Sequence, residues 1–370
     1  MSDAEIGRSK RARAAYSFDD VSLVPSRRTR DDALVSLDWK IDAYSFNHPI
    51  IAAPMDSVVS PSSAKTFAAA GGLAILNLEG VWTRYEDPTG VLNDIAALDS
   101  KGATAKLQEI YAKPIKPELI AARIQEMRAA GITVAGALSP QRTAQFAKQV
   151  VDAGVDIFVI RGTTVSAEHV SNGGEALNLK EFIYQLDVPV IVGGCATYTA
   201  ALHLMRTGAA GVLVGFGGGA AHTTLDVLGV RVPMASAVAD VAAARRDYLD
   251  ESGGRYVSVI ADGSMGRSGD VSKAIALGAD AVVVGSTFAR ATDAPGRGKH
   301  WGIEATHLEL PRGELVDLGT TGTLSEIISG PSHTADGTMN MVGALRRAMA
   351  TCGYSDLKEF QRCEVVVTPN

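Results

Sequence analysis

Short apolar runs alternate with segments of helical period along most of this chain. Pro49–Ala53, Leu73–Leu76, Ile132–Leu138, Asp156–Ile160, Val188–Val192, Gly211–Val214, Tyr256–Ala261 and Ala281–Val284 are too short for helices. They are also too continuously apolar for strands with one wet face, so they predict buried strands of a parallel sheet. Helices are predicted between them, over Ser62–Ala70, Thr143–Ala153, Tyr198–Arg206 and Val238–Leu249, with a further segment from Gly173 to Gln185. The junctions recur: Ala153-Gly154-Val155-Asp156, Thr207-Gly208-Ala209-Ala210 and Leu277-Gly278-Ala279-Asp280 each precede an apolar run. Such recurrence marks one βα unit used many times. Eight buried runs alternating with helices favour a (β/α)8 TIM barrel, an α/β fold, over an open doubly wound sheet.

Two stretches break the rhythm. Residues 78–130 hold a loop around Trp82, Tyr85 and Pro88 and then helical segments, Val91–Leu98 and Pro117–Ala129, with nothing suited to a strand. Pro295–Gly337 reads as loop, followed by an amphipathic helix, Met339–Ala350, and a last strand, Glu364–Val367. A loop of that length in a compact domain points to a flap or lid, or to partial disorder. The whole chain, 1–370, is therefore expected to be one barrel domain with a long C-terminal flap.

Composition narrows the partners. A net charge of −6 and a pI near 5.7 argue against a polyanion-binding surface, so nucleic acid is not expected as a partner. The N-terminal Arg8, Lys10, Arg11 and Arg13 read as a solvated arm, with contact to a neighbouring subunit as the alternative. Three scattered cysteines, Cys195, Cys352 and Cys363, suit neither a disulfide framework nor a metal pair. No apolar run approaches the ~20 residues of a membrane span. A cytoplasmic protein is expected, with no membrane partner and no metal site.

The chemistry concentrates from Tyr256 to Arg290. The seventh strand breaks into Asp262-Gly263-Ser264-Met265-Gly266, and the eighth ends at Gly285-Ser286-Thr287. Two neighbouring parallel strands that finish in small residues bring several backbone N–H groups to one end of a sheet, where a phosphate is well held. In barrels of this class the phosphate site usually follows strands seven and eight. On the bland reading, Asp262 is a helix cap and Ser286 a turn residue.

These landmarks, in this order, resemble the IMP dehydrogenase and GMP reductase family along almost the whole chain. The matching residues are Phe18-Asp19-Asp20-Val21 with Leu23-Val24-Pro25, Ala53-Pro54-Met55-Asp56-Ser57-Val58, Gly71-Gly72 and the glycine loop Gly215–Thr224. Ala261-Asp262-Gly263, Ser268-Gly269-Asp270, Val284-Gly285-Ser286 and Gly343-Ala344-Leu345-Arg346 complete the set. About fifty residues separate the second and third strands, too few for the CBS modules many family members carry there. The chain most resembles the short, CBS-free branch of the family.

The resemblance implies a purine nucleoside monophosphate, IMP, XMP or GMP, with NAD or NADP as cofactor. Asp262 would hold the ribose hydroxyls, Gly263, Gly285 and Ser286 the phosphate, and Met55 the purine face, with Ser264 also among the substrate-binding residues. His222 and Thr224 fall on the catalytic loop, and Arg161, Gly215 and Gly217 fall where the cofactor would lie. The carbonyls of the glycine loop are candidates for a monovalent cation, and a homotetramer or octamer is implied.

Four departures bear on the chemistry. His222 stands where the family has its nucleophilic cysteine, and an imidazole attacks the purine carbon less well than a thiolate. Ala220 replaces a phosphate-binding serine, and Arg161 replaces the carboxylate expected at the nicotinamide ribose. In the flap, His300-Trp301-Gly302 replaces Tyr-Arg-Gly, and no Asp-Arg-Tyr follows to supply the water-activating arginine. Arg312 and Glu314 are either its substitutes or plain surface charges. Cys195 reads as a packing residue. Three functions stay open: an altered purine-nucleotide oxidoreductase, a catalytically silent purine-nucleotide-binding regulator, or a flavin protein using the same phosphate cradle.

Overall fold

The computed structural model describes residues 3–99, 102–170, 177–216, 218–307 and 313–368. All eight apolar runs are strands: β1 Ile50–Ala52, β2 Leu73–Asn77, β3 Ala135–Leu138, β4 Ile157–Arg161, β5 Val190–Cys195, β6 Gly211–Val214, β7 Ser258–Asp262 and β8 Ala281–Val284. Each pairs in parallel with its sequence neighbours and β8 closes on β1, so a (β/α)8 barrel forms with no exposed edge. The strand interiors are buried because the barrel lumen covers one face and the helices cover the other.

The helices are α1 Pro61–Ala69, α2 Pro117–Ala129, α3 Pro140–Asp152, α4 Leu179–Tyr184, α5 Tyr198–Met205, α6 Met234–Glu251, α7 Ser268–Ala276 and the single turn α8 Ser286–Ala289. Residues 171–176, part of the segment expected to lead into strand five, lie outside the described residues. The recurrent junction glycine has a steric cause. Gly278 sits at φ +116, and a Cβ there would lie 2.5 Å from Ala242 Cβ. Only glycine ends α7 in the left-handed region while packed this closely on α6.

Several elements depart from the sequence expectation. The N-terminal arm is an exposed hairpin, Asp3–Gly7 with Lys10–Arg13, tied to α6 by Arg13–Asp240 at 2.6 Å. A hairpin of Trp39–Ile41 and Tyr44–Phe46 closes the N-terminal end of the barrel. Its Trp39 and Phe46 rings stack at 5.2 Å, and Ile41 lies beneath Gly211, where an added Cβ would approach it to 3.3 Å. Three-residue strands interrupted by a turn carry too little periodicity to be read from sequence.

The flap is not the structureless loop expected. Lys299–Trp301 pairs antiparallel with Leu315–Asp317, and Leu324–Ser329 is a helix. The flap packs on the insertion after β2, which contains a helix the periodicity missed, Ala103–Tyr111, beside Thr89–Ala96. Trp301, Ala305 and Leu315 from the flap join Leu92, Ile95, Leu107, Ile110 and Tyr111 in a second hydrophobic core. Each partner supplies half of an apolar face, so neither reads as a packed unit alone. Among the described residues no helix is long and apolar enough to cross a membrane.

At the opposite end of the barrel, Asp280 organises the entry to β8. Its buried carboxylate accepts from Arg245 Nη1 at 2.6 Å, the Tyr256 hydroxyl at 2.6 Å and the Val259 amide at 2.8 Å, and it also pairs with Lys358. Burial opposes ionisation here, but the two cations outweigh it and the pKa falls below the ordinary range. Removing one partner strands buried charge, so Asp280→Ala should cost about 3–5 kcal/mol in urea unfolding at neutral pH. Because the folded-state pKa is depressed, this contribution is present above the unfolded value and disappears as pH falls through the folded one. A loss below 1 kcal/mol would refute the assignment.

Candidate functional site

The C-terminal rim of the barrel brings the glycine loops together. β7 ends at Asp262, and the chain turns through Gly263 at φ +118 and Ser264 at φ +60 before α7 starts at Ser268. β8 ends at Val284, and α8 opens at Ser286 after Gly285. These turns border one cleft of about 310 Å³, which Met55, Asp262, Gly263, Ser264, Gly285 and Ser286 all line. A Cβ on Gly285 would come within 3.3 Å of the Met55 sulfur, so glycine there lets the thioether lie against the strand end. Ser264 Oγ donates to the Gly218 carbonyl at 3.1 Å, joining the loop after β7 to the loop after β6.

Other sequence candidates fall elsewhere. Gly215 is outside the cleft lining; a Cβ there would lie 2.5 Å from the Met234 sulfur and 2.6 Å from the Asp262 carbonyl, so no side chain fits at this position. Thr224 is buried at the start of a short helix, Thr224–Leu228, and is also absent from the lining. Gly217 and Arg312 lie outside the described residues, and Glu314 stands just before the second flap strand.

Arg161 reaches the cleft from the end of β4 and does not stand alone. Its Nε donates to Asp262 Oδ2 at 2.8 Å and its Nη2 to Oδ1 at 3.4 Å, a two-point pair with both side chains less than a fifth exposed. The carboxylate expected to be open for a ligand is thus already engaged by a guanidinium.

On the other side of the cleft the flap supplies Glu304. Its Oε1 accepts from Thr163 Oγ1 at 3.0 Å and lies 3.3 Å from His222 Nδ1. Burial would raise the Glu304 pKa, but the neighbouring His222 and Arg161 hold it down at about 2. Glu304 is therefore ionised at neutral pH although its side chain is 2% exposed. His300, on the preceding flap strand, pairs with Ser57 Oγ at 2.9 Å; burial above all, with Arg161 nearby, pushes it down to about 3, so it is neutral. Cys195 is buried in β5 against the Leu213 carbonyl, and burial pushes its thiol up to about 12. It is not a thiolate at neutral pH.

The sequence profile of the IMP dehydrogenase / GMP reductase domain matches residues 15–313. The chain belongs to the IMP dehydrogenase / GMP reductase family. An "uncharacterized oxidoreductase" of Mycolicibacterium smegmatis is 49% identical over 98% of this chain and 99% of its own. A Mycobacterium tuberculosis protein of the same description has equal identity and coverage. Inosine-5'-monophosphate dehydrogenase of Methanocaldococcus jannaschii is 27% identical over 97% of this chain. A crystal structure of an IMP dehydrogenase/GMP reductase-like protein from Corynebacterium glutamicum superposes with a TM-score of 0.94 at 48% identity, covering 99% of this chain and 98% of that one.

Within this family frame, the insertion between β2 and β3 includes the helices Thr89–Ala96 and Ala103–Tyr111, on which the flap packs. Sequence reasoning missed Glu304, because its partner His222 lies 82 positions earlier and no local spacing links them. It also missed the flap's anchor. Trp301 Nε1 donates to the Tyr111 hydroxyl at 2.8 Å, and Tyr111 donates in turn to Asp56, which accepts from the Val81 amide at 2.8 Å as well. Asp56 follows Met55 in the motif after β1, so the anchor is one residue from the cleft lining.

Burial raises the Asp56 pKa to about 6 against the hydrogen bonds that favour its anion. The folded state then holds the proton more tightly than the unfolded chain, and stability falls as pH rises through the window between. Asp56→Asn cannot ionise. Its stability relative to the native protein should improve between about pH 4 and pH 6, by about 3 kcal/mol at most. Denaturant unfolding across that range checks this, and a constant difference would contradict it.

Proposed function

We propose that the protein is an oxidoreductase whose cleft takes a purine nucleoside monophosphate, IMP, XMP or GMP, with a nicotinamide dinucleotide as redox partner. The convergence of Gly263, Ser264, Gly285 and Ser286 with Met55 and Asp262 on one cleft carries the reading. Amides at neighbouring strand ends suit a phosphate, a polarisable thioether suits a flat heterocycle, and the Asp262 carboxylate, though paired with Arg161, keeps lone pairs that can accept from a vicinal diol. The volume, at the low end of the range for ligand sites, suits one mononucleotide. Family membership and the relatives described as oxidoreductases support redox chemistry.

The dinucleotide fits the residues less well. Where the family resemblance calls for a carboxylate toward the nicotinamide ribose, Arg161 offers only donors, and Asp262 already holds them. That group therefore does not fit here in the pose the family implies. The protein's own groups bind the nucleotide, cover it with the flap and offer an imidazole, His222, beside the reacting ring. The Arg161–Asp262 pair and the absence of a thiolate also favour a second reading, a catalytically silent nucleotide-binding regulator.

Two measurements separate the readings. Thermal unfolding with IMP, XMP or GMP at one hundred times Kd should show stabilisation by about 2.7 kcal/mol. Absorbance at the reduced-nicotinamide band should change with one nucleotide and NAD+ or NADPH. Stabilisation without turnover selects the silent binder, and a flat response to every nucleotide removes both. If turnover is found, Cys195→Ala should leave it unchanged, since a buried protonated thiol takes no part.

A further inference from the structure

The loop after β6 and the flap each bring one half of a His–carboxylate dyad to the cleft. His222 lines the cleft with its side chain 15% exposed, and its Nδ1 faces Glu304 Oε1 at 3.3 Å. The Glu304 side chain is fixed from two further sides. Thr163 Oγ1 donates to the same oxygen at 3.0 Å, and the carboxylate folds back over its own segment against Gly302. A Cβ at Gly302 would stand 2.7 Å from Glu304 Oε2, so glycine there is what lets the carboxylate reach His222. The imidazole is similarly seated, with its Cδ2 within 2.9 Å of the position a Cβ on Gly219 would take.

We propose that Glu304 is a positioning residue that holds His222 in the Nδ1-protonated tautomer, leaving Nε2 as the base that faces the ligand. This rests on the oxidoreductase reading of the cleft and deepens it, because it names the group that replaces thiolate chemistry. A carboxylate on one imidazole nitrogen sets which nitrogen is basic and stabilises the imidazolium once a proton arrives. As a water oxygen bonds to the electrophilic ring carbon, its proton passes to His222 Nε2. The electron pair of the attacked C=N bond moves onto the ring nitrogen, and the new positive charge lies beside the ionised Glu304. At 3.3 Å the pair is close but not aligned as a hydrogen bond, and His222 Nδ1 has no other partner among the described residues, so the bond is one that forms as the site tightens on a ligand.

The dyad crosses from barrel loop to flap, so it exists only with the flap down. Arg161 also contributes, since its charge helps keep Glu304 ionised while its hydrogen bonds go to Asp262.

The test uses full-length protein labelled with 15N at histidine. Long-range 1H–15N spectra recorded over a pH series should show that the uncharged form of His222 carries its proton on Nδ1. In Glu304→Ala it should revert to the Nε2-protonated form that free imidazole side chains prefer. An Nε2-protonated His222 in the native protein, or a tautomer indifferent to Glu304→Ala, overturns the proposal. Should the alanine variant fail to fold, the isosteric Glu304→Gln serves. It should retain the Nδ1–H signal and lower kcat about 100-fold with KM little changed, and an unaltered kcat overturns the proposal. Glu304→Asp should restore part of the rate. Absence of turnover in the native protein removes the redox reading alone, since the tautomer signal still decides the dyad.

Discussion

The two-point ion pair between Arg161 and Asp262 sets the character of the cleft. Both groups stand at strand ends in a wall that admits little water, where an unpaired charge would be costly and a paired one is tolerated. Pairing them removes a free carboxylate from one side of the cleft and leaves a guanidinium beside Glu304 on the other. The remaining polar groups adjust to that arrangement: Glu304 stays ionised, His300 stays neutral, and His222 is left between an anion and the ligand space.

The barrel was legible because its strands are buried on both faces, which leaves short continuous apolar runs, and because each helix must stop sharply before the next strand. Gly278 shows both constraints in one residue, with its left-handed backbone and its contact with Ala242. Asp262, Gly263, Gly285, Ser286 and Met55 share one cleft for a related reason. The loops after consecutive strands of a closed barrel share a rim, so sequence order converts to spatial proximity. The hairpin of Trp39–Ile41 and Tyr44–Phe46 was not found, since three residues per strand carry almost no period.

The flap and its contacts were illegible for a different reason. Trp301, Ala305 and Leu315 look like scattered apolar residues in a loop until the helix Ala103–Tyr111, nearly two hundred positions earlier, supplies the surface they cover. Glu304 and His222 likewise meet only through the fold. The pairing of Arg161 with Asp262 was hidden too, although each residue could be singled out alone, because side-chain direction at a strand end is not encoded in spacing. Gly215 and Thr224 are motif positions that stand outside the cleft lining.

The second hydrophobic core has a consequence for how the cleft exchanges its contents. Flap and insertion share one set of apolar side chains, so lifting the flap withdraws Trp301, Ala305 and Leu315 from Leu107, Ile110 and Tyr111 together. Opening is then a cooperative undocking rather than a fraying of single residues, and it hydrates greasy surface. Such a step carries a positive heat-capacity change, so the equilibrium between shut and open forms bends with temperature instead of following a straight van't Hoff line.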